Sequence, residues 1–208
     1  FRWRIMFPIL DHHSNIVGFT ARALDPNESA KYINTPQTLI YNKSQILYGL
    51  DKAKPAIREK GHVILVEGNM DVVASHKAGV KNVVASSGTS LTPEQLKILK
   101  RYTENIALCF DADSAGVHAS ERGVDLIWES GMNVKVIILP EKFKDPDELV
   151  KNNPEAWILA SQKLMNFMDY FLAVNLAGKN LTDIDAKRQI AAKVLSWLNK
   201  LTNPIDQD

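Results

Sequence analysis

Short apolar runs separated by helical patterns constrain this chain more than any other feature: His62 to Val66, Asn82 to Ser86, Asn105 to Phe110 and Asn133 to Leu139. Runs this short, rich in Val, Ile and Leu and apolar on both faces, read as buried parallel strands. Between them, Met70 to Lys77 reads as a helix ended by Gly79, and Ser114 to Ser130 as one closed by Gly131. Thr92-Pro93-Glu94-Gln95 opens a third, with Thr at the N-cap, Pro first and Gln third. The repetition implies a parallel sheet wrapped by helices, whose carboxyl ends open onto a crevice.

Acidic residues stand at those ends. Glu67 follows the first run, with Asp71 one helical turn beyond it, and Asp111 and Asp113 follow the third. Acids at strand ends also cap helices, and Asp113 before Ser114-Ala115-Gly116 alone reads that way; their joint placement points to chemistry. After the last run comes Asp145-Pro146-Asp147-Glu148. Its Pro either sets both aspartates on one side of an extended turn or begins a helix with acids in its first turn. Two carboxylates about 4 Å apart repel by roughly 4 kcal/mol at an effective dielectric near 20, so such a group calls for a cation, a shared proton or wide spacing. Mg²⁺ suits oxygen ligands together with substrate phosphates, which suggests phosphoryl or nucleotidyl transfer.

The first sixty residues differ in character. Arg4 to Leu10 and Ile16 to Ala23 read as an antiparallel hairpin across Asp11-His12-His13-Ser14-Asn15, with Pro8 favouring an edge strand. Lys31 to Pro36 reads as a turn and Gln45 to Glu59 as a helix. After Asn153 the chain reads as helical: Trp157, Leu164, Phe167, Met168, Phe171 and Val174 fall at helical spacing, as do Ile190, Val194, Leu198 and Leu201, and this stripe reads as packing. The expected fold is α/β, α+β over the whole chain: an N-terminal mixed α+β subdomain (1–60), a central parallel sheet flanked by helices (61–150) and a C-terminal helical subdomain (151–208).

Lys plus Arg number 25 against 24 Asp plus Glu, so total charge selects no partner and a nucleic-acid surface requires segregated charges. Cys109 lies inside an apolar run and reads as a core thiol; a single cysteine excludes a disulfide framework and a Cys-based zinc site. The histidines show no shared metal spacing. No stretch approaches a membrane span and nothing resembles a signal peptide, which fits a reducing, cytoplasmic setting. A chain opening on Phe1, directly in strand-like sequence, reads as an excised piece of a longer protein.

Glu67-Gly68-Asn69-Met70-Asp71, Asp111-Ala112-Asp113-Ser114-Ala115-Gly116 and Asp145-Pro146-Asp147, in this order, resemble a Toprim domain. Upstream, Arg4-Ile5-Met6-Phe7-Pro8-Ile9, Gly18-Phe19-Thr20-Ala21-Arg22, Lys31-Tyr32-Ile33-Asn34-Thr35-Pro36 and Lys43-Ser44-Gln45-Ile46-Leu47-Tyr48-Gly49-Leu50 resemble the catalytic core of bacterial replicative DNA primases, as does Ser87-Gly88-Thr89-Ser90-Leu91-Thr92. The resemblance runs through about residues 1–150 and is loose in the helical tail.

It implies template-directed joining of ribonucleoside triphosphates on single-stranded DNA, giving a short RNA primer. It makes Glu67, Asp111 and Asp113 catalytic, with Glu67 as general base or metal ligand. The implied metal set is Glu67, Asp71, Asp111, Asp113, Asp145 and Asp147, holding Mg²⁺ or, as a substitute, Mn²⁺, with no zinc in this fragment. Arg22, Lys31 and Lys43 would meet triphosphate or template phosphates, Tyr32 would stack on a base and Asn34 would hydrogen-bond nucleotide. A replicative helicase would be met through a domain absent here, and no membrane is involved. Two departures stand out: Asn69 occupies the place of the family's usual Tyr, and Ala112 that of its usual Gly. Competing readings are another Toprim enzyme, a metal-dependent nuclease, and a nucleotide- or DNA-binding module without turnover. Arg2 and Arg4 carry no assignment, and Lys97, Lys100 and Arg101 read as a solvated face.

Overall fold

A computed structural model describes residues 1–87, 90–109, 114–177, 179 and 183–198, with the side chains of 114–121 and 186 outside that description. Strands β1 (Arg4–Leu10) and β2 (Ile16–Ala23) form the expected antiparallel hairpin. Its turn is set by Asp11, whose Oδ1 accepts from the backbone N–H groups of His13 and Asn15 at 2.8 and 2.9 Å. A third strand, β3 (Tyr32–Asn34), pairs antiparallel with β2 where the sequence reads as a turn. Three residues are too few for a period to register, and β2 supplies the hydrogen bonds that hold them extended. Pro8 does lie in an edge strand, since the sheet order is β1-β2-β3.

Helix α1 (Leu50–Lys60) begins later than the expected Gln45. A 3₁₀ turn at Lys43–Gln45 comes first, and Gly49 takes φ +81, a left-handed conformation that starts the helix afresh. Between them Tyr48 forms a two-bond bridge to Ala85, at 2.9 and 3.1 Å.

From residue 63 the elements alternate as expected: β4 (Val63–Val66), α2 (Asn69–Lys77), β5 (Val83–Ala85), α3 (Pro93–Leu99), β6 (Asn105–Leu108), α4 (Ser114–Glu129) and β7 (Asn133–Val136). Helices α5 (Pro146–Asn152) and α6 (Pro154–Gln162) follow, then a two-residue strand β8 (Met165–Asn166), α7 (Phe167–Leu176) and α8 (Ile184–Leu198). The five-stranded sheet has the order β5-β4-β6-β7-β8 and is parallel except for β8. β8 corrects the all-helical reading of the tail, and β7 stops short of Leu139 because its neighbour β6 ends at Leu108.

The sheet is packed on both faces. Val63, Leu65, Ile106 and Leu108 face a core built with α1, α3, α4, α7 and α8, while Ile64, Val66, Ala107 and Cys109 face one built with α2, α5 and α6. This two-sided burial explains the unbroken apolar runs. Trp128, Phe167, Phe171 and Trp197 meet mostly edge to face, with centroids 5.1 to 6.0 Å apart, and pin the last helices to the sheet. Trp157, Phe167 and Phe171 are buried as the stripe implied; Val174 is exposed, and Leu201 lies outside the described residues. Among the described residues no helix is long and apolar enough to cross a membrane.

The two sheets are joined through α3. Thr92 caps it by accepting from Gln95 N–H at 3.2 Å, and the same hydroxyl donates to Ser44 O at 2.6 Å. Gln95, fully buried, returns the cap to Thr92 N–H and donates its amide to Ile46 O at 2.7 Å. Strand order sets the cleft. The connection leaving β4 runs to β5 on one side and that leaving β6 runs to β7 on the other, which opens a crevice between the carboxyl ends of β4 and β6.

Candidate active site

Glu67 is carried into that crevice by β4, whose neighbour β6 runs in register with it up to Leu65 opposite Leu108, with Cys109 N–H donating to Leu65 O at 3.0 Å. Glu67 is partly buried. Asp111 and Asp113, which follow β6 in sequence, lie outside the described residues.

Asp71, in the first turn of α2, is buried, and its two oxygens accept from different walls of the site. Oδ2 accepts from Gly68 N–H at 3.0 Å, fixing the turn that carries Glu67. Oδ1 accepts from Asp147 N–H at 3.0 Å, tying α2 to the start of α5. A Cβ at position 68 would stand 2.7 Å from Asp71 Oδ2, so any other residue there would push this carboxylate from its place.

The Asp145-Pro146-Asp147-Glu148 group takes the helical of its two readings. Asp145 is the N-cap of α5, accepting from Glu148 N–H at 2.7 Å; Pro146 is the first helical residue, and Asp147 pairs with Lys151 one turn later. The Asp71 and Asp145 carboxylates are thus employed in holding backbone and that of Asp147 in holding Lys151, and among the described residues no three His, Cys, Asp or Glu side chains are grouped to hold a metal ion.

The opposite wall comes from the N-terminal sheet. Register pairs Thr20 with Asn34 and Arg22 with Tyr32, which puts all four side chains on one face. The Arg22 guanidinium lies 5.8 Å from the Tyr32 ring centroid. Burial pushes the Tyr32 hydroxyl above its ordinary pKa; the Arg22 charge opposes this, while the Asp147 and Asp71 carboxylates add to it. These charges feel one another because the two walls enclose one space.

That space is a cleft of about 580 Å³, lined by Glu67, Asp71, Asp145 and Asp147 from one side and by Arg22, Lys31, Tyr32, Asn34 and Lys43 from the other. Every described residue singled out from the sequence is therefore brought to it. Lys144 and Lys151 also line it and were not named from the sequence, while Asn69, Ser87 and Glu148 line it too and were named there only within motifs, with no role at the site. The two lysines had a signal: Lys144 directly precedes the Asp-Pro-Asp group, and Lys151 stands at the i+4 pairing distance from Asp147. The contact between Ser87 and Asn69 had none, since only the fold sets them side by side. Arg4 lies elsewhere and is structural, donating to Ala30 O at 2.7 Å. Lys100 likewise donates to Ser130 O at the end of α4, at 2.6 Å.

Comparisons with known proteins agree with this layout. Residues 1–54 match the family model of the DNA primase catalytic core, N-terminal domain, and residues 64–150 match a Toprim-like model. The DNA primase of Clostridium acetobutylicum is 39% identical over 211 residues, covering 100% of this chain and 34% of its own length, so the chain spans about a third of that relative. A DNA primase domain from Pseudomonas aeruginosa superposes with a TM-score of 0.84 at 32% identity, over 100% of this chain and 65% of that one. A DnaG primase catalytic domain, solved bound to single-stranded DNA, superposes at 0.83 with 31% identity, over 100% of this chain and 67% of that one. Both walls of the cleft fall within the matched segments, in family order, and on that ground the chain belongs to the DNA primases and corresponds to their catalytic core.

Proposed function

We propose that this chain is a nucleotidyltransferase that joins ribonucleoside triphosphates into short RNA on a single-stranded DNA template, with the cleft as its active site. The observation that carries this reading is the division of the cleft: carboxylates from the strand end and helices of the parallel-sheet unit face Arg22, Lys31, Lys43, the Tyr32 ring and the Asn34 amide from the N-terminal segments. The solved relative bound to single-stranded DNA supports the choice of template. In the same reading residues 1–60, 61–150 and 151–208 are the nucleotide-side, Toprim and helical units.

The donors suit a hard divalent ion, because the acidic wall offers carboxylate oxygens and the described lining includes no Cys or His. Glu67, with Asp111 and Asp113, would hold Mg²⁺, for which Mn²⁺ substitutes. When bound, it would neutralise charge on the attacking and leaving oxygens of an in-line displacement. Asp71 serves as a positioning residue, since both its oxygens already hold backbone N–H groups. Asp145 and Asp147 shape the start of α5 and would complete or orient the cluster that holds the ion.

Arg22, Lys31 and Lys43 hold the triphosphate or template phosphates, Arg22 by paired contacts and the lysines as mobile point charges. Tyr32, already braced by Arg22, offers a ring for base stacking, worth about 1–3 kcal/mol per base. Asn34 hydrogen-bonds the nucleotide beside it. Glu67 would take the proton from the attacking hydroxyl or help to hold the ion.

The test supplies single-stranded template, labelled ribonucleotides and Mg²⁺ or Mn²⁺ to the chain and to Glu67→Gln and Asp111→Asn. Template-dependent oligoribonucleotides are expected from the parent, with roughly a hundredfold or greater loss in each variant. Shortened DNA, or metal-dependent binding without product, would overturn the polymerase reading.

A further inference from the structure

Two residues meet in the cleft that no assignment has yet used. Asn69 is the first residue of α2, directly after the turn that carries Glu67. Ser87 lies just beyond β5, and its hydroxyl donates to Asn69 Oδ1 at 2.6 Å. Because β4 and β5 are parallel neighbours, the segments leaving their carboxyl ends lie side by side, and this bond joins them across eighteen residues of sequence.

Ser87 keeps a left-handed backbone, φ +61. A side chain in that region carries a steric penalty that persists only when the surroundings over-determine it, and such residues cluster at functional sites. Ser14 shares the conformation in a surface turn, whereas Ser87 holds it inside the cleft.

The bond also orients the carboxamide. With Oδ1 accepting from Ser87, Asn69 has its two amide N–H donors to offer. Most polar groups around it are charged: Glu67, Asp145 and Asp147 on its own side, Arg22, Lys31 and Lys43 opposite. The cations supply what phosphates need. A neutral donor adds little there, but it suits an uncharged acceptor, which a nucleotide offers as ribose oxygens and as carbonyl oxygens or ring nitrogens of its base.

We infer that Asn69, oriented by Ser87, is a specificity-determining residue that donates its amide N–H to an uncharged acceptor atom on the ribose or base of the bound nucleotide. This rests on the cleft being a nucleotide site. Asn69 makes the contact, and Ser87 is a positioning residue that acts through it.

The test measures equilibrium binding of ATP, 2′-deoxyATP and UTP with Mg²⁺ by calorimetry for the chain and for Asn69→Ala, Asn69→Asp, Ser87→Ala and the double alanine variant, with turnover in parallel. Asn69→Ala should weaken ATP binding about fivefold and raise KM alike, with kcat within about twofold. Ser87→Ala should move binding the same way by less, and the double variant should match Asn69→Ala alone, because Ser87 has no effect once its partner is gone. Asn69→Asp keeps the acceptor for Ser87 and removes the donor, so it should bind at least as weakly, and it decides the matter if the alanine variant fails to fold. The salt dependence of ATP binding should stay at the parent slope in Asn69→Ala and fall in Lys43→Ala, which a general loss of packing would not produce.

A loss confined to ATP and UTP, with 2′-deoxyATP unaffected, assigns the contact to the ribose hydroxyl; a loss that differs between ATP and UTP assigns it to the base. Parent-like affinity in Asn69→Ala and Asn69→Asp, or additive losses in the double variant, would overturn the inference. A chain that binds in this pattern yet makes no RNA would sink the polymerase reading alone, and one that makes RNA with parent-like KM in Asn69→Ala would sink this inference alone.

Discussion

Asp71 holds together two segments that line the cleft. It is buried, and each oxygen takes a backbone N–H from a segment distant from the other, Gly68 on one side and Asp147 on the other. Hydrogen bonds to a charged group are worth about 1.5–3 kcal/mol each. Removing the side chain frees both N–H groups and unties α5 from α2. Asp71→Ala should therefore lower unfolding stability by about 3 kcal/mol in chemical denaturation. Asp71→Asn, which keeps one acceptor, should lose roughly half as much and leave Mn²⁺ affinity near the parent's. A large loss of Mn²⁺ affinity with unchanged stability would return Asp71 to the ligands. Legibility at this scale was uneven. Glu67 and Asp71 stand out as acids after an apolar strand, but nothing local says that one is held to position its neighbours. Asp145 had two readings, and the N-cap bond to Glu148 N–H at 2.7 Å selects the helical one. The Ser87 contact needed the sheet to exist before it could be seen.

Among elements, α3 has the most to hold. Its capping residues face inward, so the bonds that start the helix also fasten the segment carrying Lys43 to the parallel sheet. Gln95→Ala should leave the buried Ile46 carbonyl without that donor and cost about 1–3 kcal/mol, seen as a lower midpoint in urea with an unchanged slope. A cost near zero would mean that Tyr48 and Ala85 hold the two sheets together without help. The cap itself was readable, since Thr92-Pro93-Glu94-Gln95 carries its chemistry in four consecutive residues. The strands β4, β5, β6 and β7 were readable for a related reason: burial on both faces writes itself as a solid apolar run. β3 and β8 were not. Each is a few residues long and is held extended by a partner distant in sequence, which no window along the chain contains. The delayed start of α1 has the same cause, because the bridge from Tyr48 to Ala85 claims residues that would otherwise suit a helix.

Across the whole molecule, charge is nearly balanced, with 25 basic against 24 acidic residues, and the total says nothing of where the cations gather. The cleft collects Arg22, Lys31, Lys43, Lys144 and Lys151 on its rim and walls, and this arrangement, not net charge, sets the expected response to ionic strength. Affinity for single-stranded DNA should fall with salt, with a log–log slope near −0.7 per phosphate neutralised, and Arg22→Ala and Lys43→Ala should each make that slope shallower by about 0.7. An affinity indifferent to salt would remove the phosphate role of this wall. The general architecture was legible because alternating strands and helices admit few topologies, whereas the cleft's second wall rested on family resemblance, since scattered Lys and Arg look alike until a fold gathers them.

Both flanks of the parallel sheet finish in a small guard. Tyr48 hydrogen-bonds β5 on one flank, and Met165 and Asn166 cover β7 on the other. A row of unsatisfied amides along a strand invites a neighbouring molecule to extend it, and that is how folded proteins begin to stick together. Covering each flank with one or two residues leaves little to copy, so this interior can remain strongly apolar without becoming a template for association.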